Sequence, residues 1–373
     1  MDEQSQRHWY EINFVENVDS PALIIYADRV RQNISTAIEM VGDVHRLRPH
    51  VKTHKSPDVT RLMLSAGITK FKCATVAEAE MLGMANAPDV LLAYQPVGPK
   101  AERFFALSKQ YPATQYSCLI DNHFAAKALN DSATKNRVVV PVFIDLDVGM
   151  NRTGIAPEKA VPLFDEVLGL KALKFLGLHV YDGHIGDTDL QARTERSNDA
   201  FKPITALKES LSARGFTDIK IVAGGSPTFP IHAKRQEVEC SPGTFVYWDA
   251  GYQQVLPEQP FQPAALVISR VVSMPGDGLI CTDLGHKSVA AENPLTRRVK
   301  FLNASEFEFV GQSEEHLVLK TRGAHAFAVG DILYGLPIHI CPTCALYERA
   351  VVVENGNVIG EWEIIARDRK LTI

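Results

Sequence analysis

Residues 48–55 read Arg-Pro-His-Val-Lys-Thr-His-Lys and place five basic side chains in eight positions. The plain interpretation of such a run is a solvated basic loop. Pro49 complicates it, because a proline biases the preceding Arg48 toward an extended backbone and against a helix. On an extended segment, period-two alternation puts His50 and Lys52 on one face and Val51 and Thr53 on the other. A lysine fixed among other cations has a reason to lose its proton. A neutral lysine amine is the group that Schiff-base chemistry requires.

Three further stretches carry residues suited to chemistry. Gly224-Gly225-Ser226-Pro227-Thr228 pairs two glycines with hydroxyls, so backbone amides and side chains can approach an anion closely; a plain turn with a helix cap is the alternative. Asp147-Val148-Gly149-Met150-Asn151-Arg152-Thr153-Gly154 is a glycine-rich turn holding an arginine. His339-Ile340-Cys341-Pro342-Thr343-Cys344 puts an imidazole and a thiol two residues apart. On an extended segment His339 and Cys341 project to one side and suit Zn²⁺, while Cys344 faces away. A buried cysteine beside an unrelated histidine is the alternative. The CxxC here lacks the strand-to-helix context of a redox site.

The octapeptide closely resembles the cofactor-lysine segment of the D-threonine aldolase and D-serine dehydratase group. These are pyridoxal-phosphate enzymes with the alanine-racemase type of fold, fold type III. The resemblance implies that Lys52 carries pyridoxal 5'-phosphate as a Schiff base. It implies that Gly224, Gly225, Ser226 and Thr228 cradle the phosphate. Ser241-Pro242-Gly243-Thr244 resembles a second family segment, with Gly243 and Thr244 closing the phosphate site. Arg152 corresponds to an arginine that points at the cofactor ring. Tyr181, in His179-Val180-Tyr181-Asp182-Gly183-His184, resembles a tyrosine near that ring, with a packing role as the alternative. His339 and Cys341 resemble the metal site of the D-serine dehydratases, where many D-threonine aldolases use His-x-Asp. Asp283-Leu284-Gly285-His286-Lys287 resembles a family segment of structural role. The implied activity is a lyase acting on β-hydroxy D-amino acids with a divalent metal, Zn²⁺. Either the Cα–Cβ bond breaks or the β-hydroxyl leaves, and the residues do not decide between the two. A racemase on the same scaffold and a non-enzymatic pyridoxal-phosphate binding protein are the alternatives. The implied assembly is a homodimer.

The elements that must position these groups alternate. Short apolar runs at 22–26, 71–74, 90–94, 116–120, 137–146, 175–180, 219–223 and 238–240 read as strands. Amphipathic stretches at 28–41, 57–67, 76–85, 100–110, 122–129, 157–168 and 190–214 read as helices. Strand–helix alternation with buried strands predicts a parallel sheet, and about eight units predict a (β/α)8 TIM-type barrel. An open doubly wound sheet stays possible, although no GxGxxG follows the first strand. After about Pro260 short β runs separated by Gly, Pro, Asn and Asp predict an all-β domain. The predicted domains are a barrel over 28–258, and a β-domain formed by 1–27 with 259–373 that carries the metal motif. The end of the sequence, RDRKLTI, reads as charged and ordinary.

The 373 residues suit two domains. Hydrophobic residues make up 46% and charged residues 22%, which supplies ample core. A net charge of −5 implies no nucleic-acid partner. The N-terminal stretch MDEQSQRHWYEINF lacks signal-peptide character, and no apolar run is long enough for a membrane helix. The six scattered cysteines predict buried thiols in a reduced, cytoplasmic protein.

Overall fold

The computed structural model describes residues 8–321, 323 and 325–373. The expected placement of residues 1–7 in the β-domain lies outside these residues. The chain forms two compact units. Among the described residues, one contains 8–34 and Val246–Arg367; the other contains Ser35–Phe245 and Asp368–Ile373. The division differs from the expected boundaries at three places. Residues 28–34 and 246–258 cluster with the strand-rich unit, and 368–373 cluster with the barrel. Among the described residues no helix is long and apolar enough to cross a membrane.

In chain order, β1 (Ala22–Tyr26) leads into α1 (Ala27–Val41). The barrel then alternates α2 (Pro57–Ser65), β2 (Lys70–Cys73), α3 (Val76–Met84), β3 (Asp89–Leu92), α4 (Pro99–Gln110), β4 (Gln115–Ile120), α5 (His123–Asn136) and β5 (Val140–Leu146). It continues with α6 (Ala160–Gly169), β6 (Leu173–Val180), α7 (Leu190–Ala213), β7 (Lys220–Ala223), α8 (Phe229–His232) and β8 (Val238–Cys240). Side-chain caps start several of these helices: Thr75 accepts from Glu78 N–H at 3.1 Å and Asn122 from Ala125 N–H at 2.8 Å. Two boundaries differ from the sequence expectation. Helix α5 continues past Leu129 because Ala133 extends its buried stripe by one turn, and Arg137 ends it in a left-handed conformation. Strand β5 consequently starts at Val140 rather than Arg137.

Strands β2 to β8 pair in parallel in sequence order. The eighth position of the ring is Leu47–His50. Leu47 bridges Cys240 on β8, and His50 bridges Lys72 on β2, both in parallel. Arg48 N–H donates to Cys240 O at 2.9 Å, and Lys72 N–H donates to Pro49 O at 2.8 Å. Pro49 thus sits where its missing N–H costs no ladder bond. The barrel floor is apolar, built from Leu91, Leu119, Phe143 and Val222.

The ring is closed by charge as well as by ladder. Arg48 is fully buried; its guanidinium takes Asp89 through two bonds of 2.7 and 3.0 Å and Glu239 through one of 2.7 Å. Burial alone would lower the arginine's pKa, but Glu239 and Asp89 outweigh it and raise it. The triad therefore ties the closing segment to β3 on one side and β8 on the other.

The second unit is a mostly antiparallel sheet. It is made by β1, β9 (Ala265–Gly276), β10 (Leu279–Thr282), β11 (Val299–Phe301), β12 (Glu308–Gln312), β13 (Leu317–Lys320), β14 (Ile332–Pro337), β15 (Arg349–Glu354) and β16 (Asn357–Glu363). The order is β12-β13-β10-β9-β1-β15-β16, with β14 on β9 and β11 on β14. The first strand lies between β9 and β15, so the N-terminal part of the chain completes this sheet. Its core gathers Tyr10, Ile24, Tyr26, Leu266, Ile268 and Tyr334. Two short helices interrupt it, α9 (Ala250–Val255) and α10 (Ile340–Cys344). The family segment from 283 to 287 has a structural role here: Asp283 accepts from Arg270 N–H at 2.7 Å and from the Ser20 hydroxyl at 2.6 Å.

Replacing Arg48 with Met removes the cation shared by the partly exposed Asp89 and the buried Glu239, and leaves Glu239 with Lys70 alone. The expected loss of barrel stability is at most about 3–5 kcal/mol, the cost of stranding a fully buried charge. Urea unfolding of the variant against the parent chain measures it.

Candidate active site

The octapeptide is not a solvated loop. Arg48 is sealed in its triad. His54 is buried and accepts from Ser56 N–H at 3.1 Å, with its pKa lowered to about 3 by burial. Lys55, held at positive φ, pairs with the buried Glu78. His50 is kept neutral by burial and by Lys52 and Lys72, and its Nδ1 accepts the Lys52 N–H at 3.2 Å. Lys52 is the lysine of the segment that lines a cavity at the barrel mouth.

That cavity encloses about 490 Å³, within the range that holds a cofactor and a small substrate. Its wall brings together Lys52, Arg152 and Tyr181, as expected, and adds Lys72, Asp145 and His179. Tyr181 organises the cations. Lys52 Nζ lies 5.8 Å, Lys72 Nζ 5.5 Å and Arg152 Cζ 5.0 Å from its ring centroid. These distances are within reach of the ring's quadrupole. Among the described residues none of the three cationic heads forms an ion pair.

Lys72 is the residue the sequence reading passed over. It is 2% exposed, and its pKa falls to about 7 through burial and the nearby Lys52. The available signal was alternation: on β2, Phe71 and Cys73 face one way and Lys70 and Lys72 the other, into the ring. His179 is the second addition. Its Nδ1 sits 2.7 Å from Asp145 Oδ1, and its buried Nε2 has no hydrogen-bond partner among the described residues. Burial lowers its pKa, against the pull of Asp145. The carboxylate fixes the proton on Nδ1 and leaves the Nε2 lone pair available. Asp145 is steadied by Gln95, whose amide donates to it at 3.0 Å.

The two expected phosphate loops lie together on the other flank of Tyr181. The N–H groups of Gly243 and Thr244 both converge on Ser226 Oγ, at 3.4 and 3.2 Å. A side chain at Gly225 would meet the Tyr181 ring at 3.2 Å, and one at Gly243 would meet His50 O at 3.1 Å. Gly224 has φ +80°, a conformation that favours glycine. Thr228 differs from expectation: its hydroxyl is committed to Asp182 at 2.8 Å, beneath the loop. Asp182 also takes His232 Nε2 at 2.8 Å, and Arg235 holds the other ring nitrogen at 2.6 Å. Burial would raise the Asp182 pKa, but His232 and Thr228 hold it below the usual range. The loop is thus braced from below, and Thr228 Oγ1 also accepts the Gly225 N–H at 3.4 Å. Converging amides, unpaired cations beside an aromatic ring and an unsatisfied imidazole nitrogen fit a phosphorylated aromatic aldehyde such as pyridoxal phosphate.

In the strand-rich unit the metal motif is not extended as expected. His339 caps α10 and Cys341 lies in its first turn, where Pro342 costs no helix hydrogen bond. The two side chains still meet. A hydrogen bond with Cys341, supported by Glu292 at 2.6 Å from His339 Nδ1, raises the His339 pKa to about 9. Asp249, buried, accepts from Ile340 N–H at 3.0 Å and so fixes the start of α10. Among the described residues no three His, Cys, Asp or Glu side chains are grouped for a metal. His339 and Cys341 supply two donors of the type Zn²⁺ prefers, and water or substrate would complete the shell.

Comparison with known proteins places this geometry. Residues 25–250 match the family model described as alanine racemase, N-terminal domain, and residues 264–353 match the putative serine dehydratase domain. The D-threonine aldolase of Arthrobacter sp is 26% identical, covering 94% of this chain and 93% of that one. The 3-hydroxy-D-aspartate aldolase of Paracoccus denitrificans (strain Pd 1222) is also 26% identical, with the same coverage. The crystal structure of D-threonine aldolase from Filomicrobium marinum superposes with a TM-score of 0.87 at 25% identity, covering 95% of this chain and 96% of that one. The chain belongs to the alanine-racemase-fold family, in the branch that pairs this barrel with a serine dehydratase domain.

The low Lys72 pKa has a consequence for stability. Between about 7 and the ordinary lysine value of 10.5 the unfolded chain binds a proton that the folded chain lacks. Stability therefore rises with pH across that window, by at most ~1.4 kcal/mol per pH unit, and is lost again as pH falls to 7. Lys72→Met removes that contribution. Denaturation midpoints of the two cofactor-free proteins from pH 6 to 10 test it, and parallel curves would refute the assignment.

Proposed function

We propose that this chain is a pyridoxal-phosphate-dependent lyase that acts on β-hydroxy D-amino acids, with a divalent metal held by His339 and Cys341. The observation that carries the reading is the cluster of Lys52, Lys72 and Arg152 around Tyr181, beside amides that converge at Ser226. The named relatives, aldolases of D-amino acids, support it.

Lys52 is the residue that would hold the cofactor covalently. The Gly243 and Thr244 amides with the Ser226 hydroxyl would take its phosphate, and Arg152 and Tyr181 would border its ring. Bound there, the cofactor supplies an electron sink for charge developing at Cα. The protein's own groups do the proton work. His179, oriented by Asp145, offers Nε2 as an acceptor. Lys72, close to neutral at physiological pH, can take or return a proton at Nζ. His339 and Cys341 would hold a Zn²⁺-type ion, which would supply Lewis-acid chemistry toward a hydroxyl. The side on which a base approaches decides whether the hydroxyl proton or the α-proton is removed, and so whether an aldehyde and glycine or a 2-oxo acid and ammonia result.

The purified protein is expected to show an absorbance band at the violet edge of the visible, and Lys52→Ala to lose it. Retention of the band in that variant rejects Lys52 as the attachment site. Incubation with D-threonine and D-serine is expected to release glycine with acetaldehyde, or 2-oxo acid with ammonia. Release of neither, with L-enantiomers accumulating, would make the chain a racemase. Metal content per chain is expected to fall by more than half in Cys341→Ala.

A further inference from the structure

The segment from 368 to 373 reads as an ordinary charged tail, yet it is anchored. Glu80 on α3 is fully buried and accepts from Thr372 N–H at 3.0 Å and Ile373 N–H at 3.3 Å. The Thr372 hydroxyl donates to the same carboxylate. Arg103 on α4 donates to Ile373 O at 2.9 Å and to Arg369 O at 3.0 Å. A buried carboxylate whose bonds are backbone amides is an expensive group to strand. The segment is therefore held in one place on the barrel.

That placement sends Arg369 to the cavity described above, where it shares the wall with Lys52, Lys72 and Arg152. Arg369 also lines an adjoining recess of about 200 Å³ with Lys100 and Arg103. The recess has no acidic side chain in its wall. Among the described residues the main cavity's one carboxylate is Asp145, already committed to His179 and Gln95. Among the described residues no carboxylate pairs with the Arg369 guanidinium. A chain of net charge −5 has gathered unpaired cations at one mouth. Three of them are accounted for by a cofactor and one substrate carboxylate. Arg369 and its recess are not.

We propose that the 368–373 segment is a built part of the active site, and that Arg369 reads a second carboxylate on the substrate. The chain then prefers β-hydroxy D-amino acids with an acidic side chain over those with a methyl or hydrogen there. A guanidinium fork matches a carboxylate through two parallel bonds, which gives direction as well as charge. Because Glu80 and Arg103 fix the segment, Arg369 is presented without ordering a loop at the moment of binding. The inference rests on the lyase reading for its substrate, but its binding arm does not.

The test compares the cofactor-loaded parent enzyme with Arg369→Gln, and with Glu80→Gln as a variant that loosens the anchor outside the cavity. Two ratios are read: kcat/KM for D-3-hydroxyaspartate over D-threonine, and affinity for D-malate over D-lactate by calorimetry. In the parent both ratios are expected to exceed one. In Arg369→Gln both fall by at least about tenfold, the size of a lost charge-assisted pair, with the loss in KM rather than kcat. Glu80→Gln shifts them in the same direction. Ratios that stay constant in Arg369→Gln, or a parent that binds D-lactate as well as D-malate, overturn the proposal. If the parent cleaves neither amino acid, the lyase reading fails, while the malate and lactate arm still decides the role of Arg369.

Discussion

Arg48 holds the barrel together where the chain has least to hold it with. The eighth strand position is four residues long and contains a proline, so its ladder is sparse. A buried guanidinium shared between Asp89 and Glu239 compensates, because each carboxylate comes from a different part of the ring. Desolvating three charges is costly, and the geometry offsets that cost only when all three are present. The arrangement favours one closure of the ring over others. It also fixes where the next residues point. Two positions after Arg48 comes His50, whose ring accepts the Lys52 amide; Lys52 then faces the cavity. The placement of Lys52 thus depends on a salt-bridge triad outside the cavity wall.

The cavity follows a second rule: its charged side chains stand against an apolar cluster, Asp145 following Phe143 on β5 and Lys72 lying opposite Leu91. Leu91, Leu119, Phe143 and Val222 fill the floor. Lys72, Asp145 and His179 line the cavity beside it, with Lys72 in register with Leu91. Low-dielectric material beneath these groups is what moves Lys72 toward neutrality and keeps His179 unprotonated. Asp145 is the counterweight, kept ionised although burial opposes it, because His179, Thr153 and Gln95 all hydrogen-bond to it. Two bases of different kinds are prepared by one environment.

Much of this was legible in the sequence, for reasons that differ by residue. Val140–Leu146 announces a strand buried on both faces because it is apolar except for Asp145. The two glycine-containing loops at 224–228 and 241–244 signal close backbone approach, and the structure brings them together at Ser226. Long-range pairing was not legible. Arg48 finds partners 41 and 191 positions away, and no local pattern marks Asp89 or Glu239 as those partners. Lys72 looked like one charge in a short mixed strand until the ring closed around it. The motif at 339–344 was read as extended, whereas residues 340–344 form a short helix whose first turn tolerates Pro342. Residues 368–373 carry no periodicity at all; their anchoring comes from Glu80, a residue buried on the far side of a helix pattern.

The residue that would bind the cofactor and the residues that finish the ring belong to one octapeptide, and the phosphate loops follow β7 and β8, the strands next to the closing position. A ligand attached at Lys52 and gripped at Ser226 and Thr244 therefore bridges the place where the circle of strands begins and ends. It would act as a clasp. Its binding free energy would be added at the weakest joint in the barrel, which the bridges at Leu47 and His50 and the Arg48 ion pairs already close.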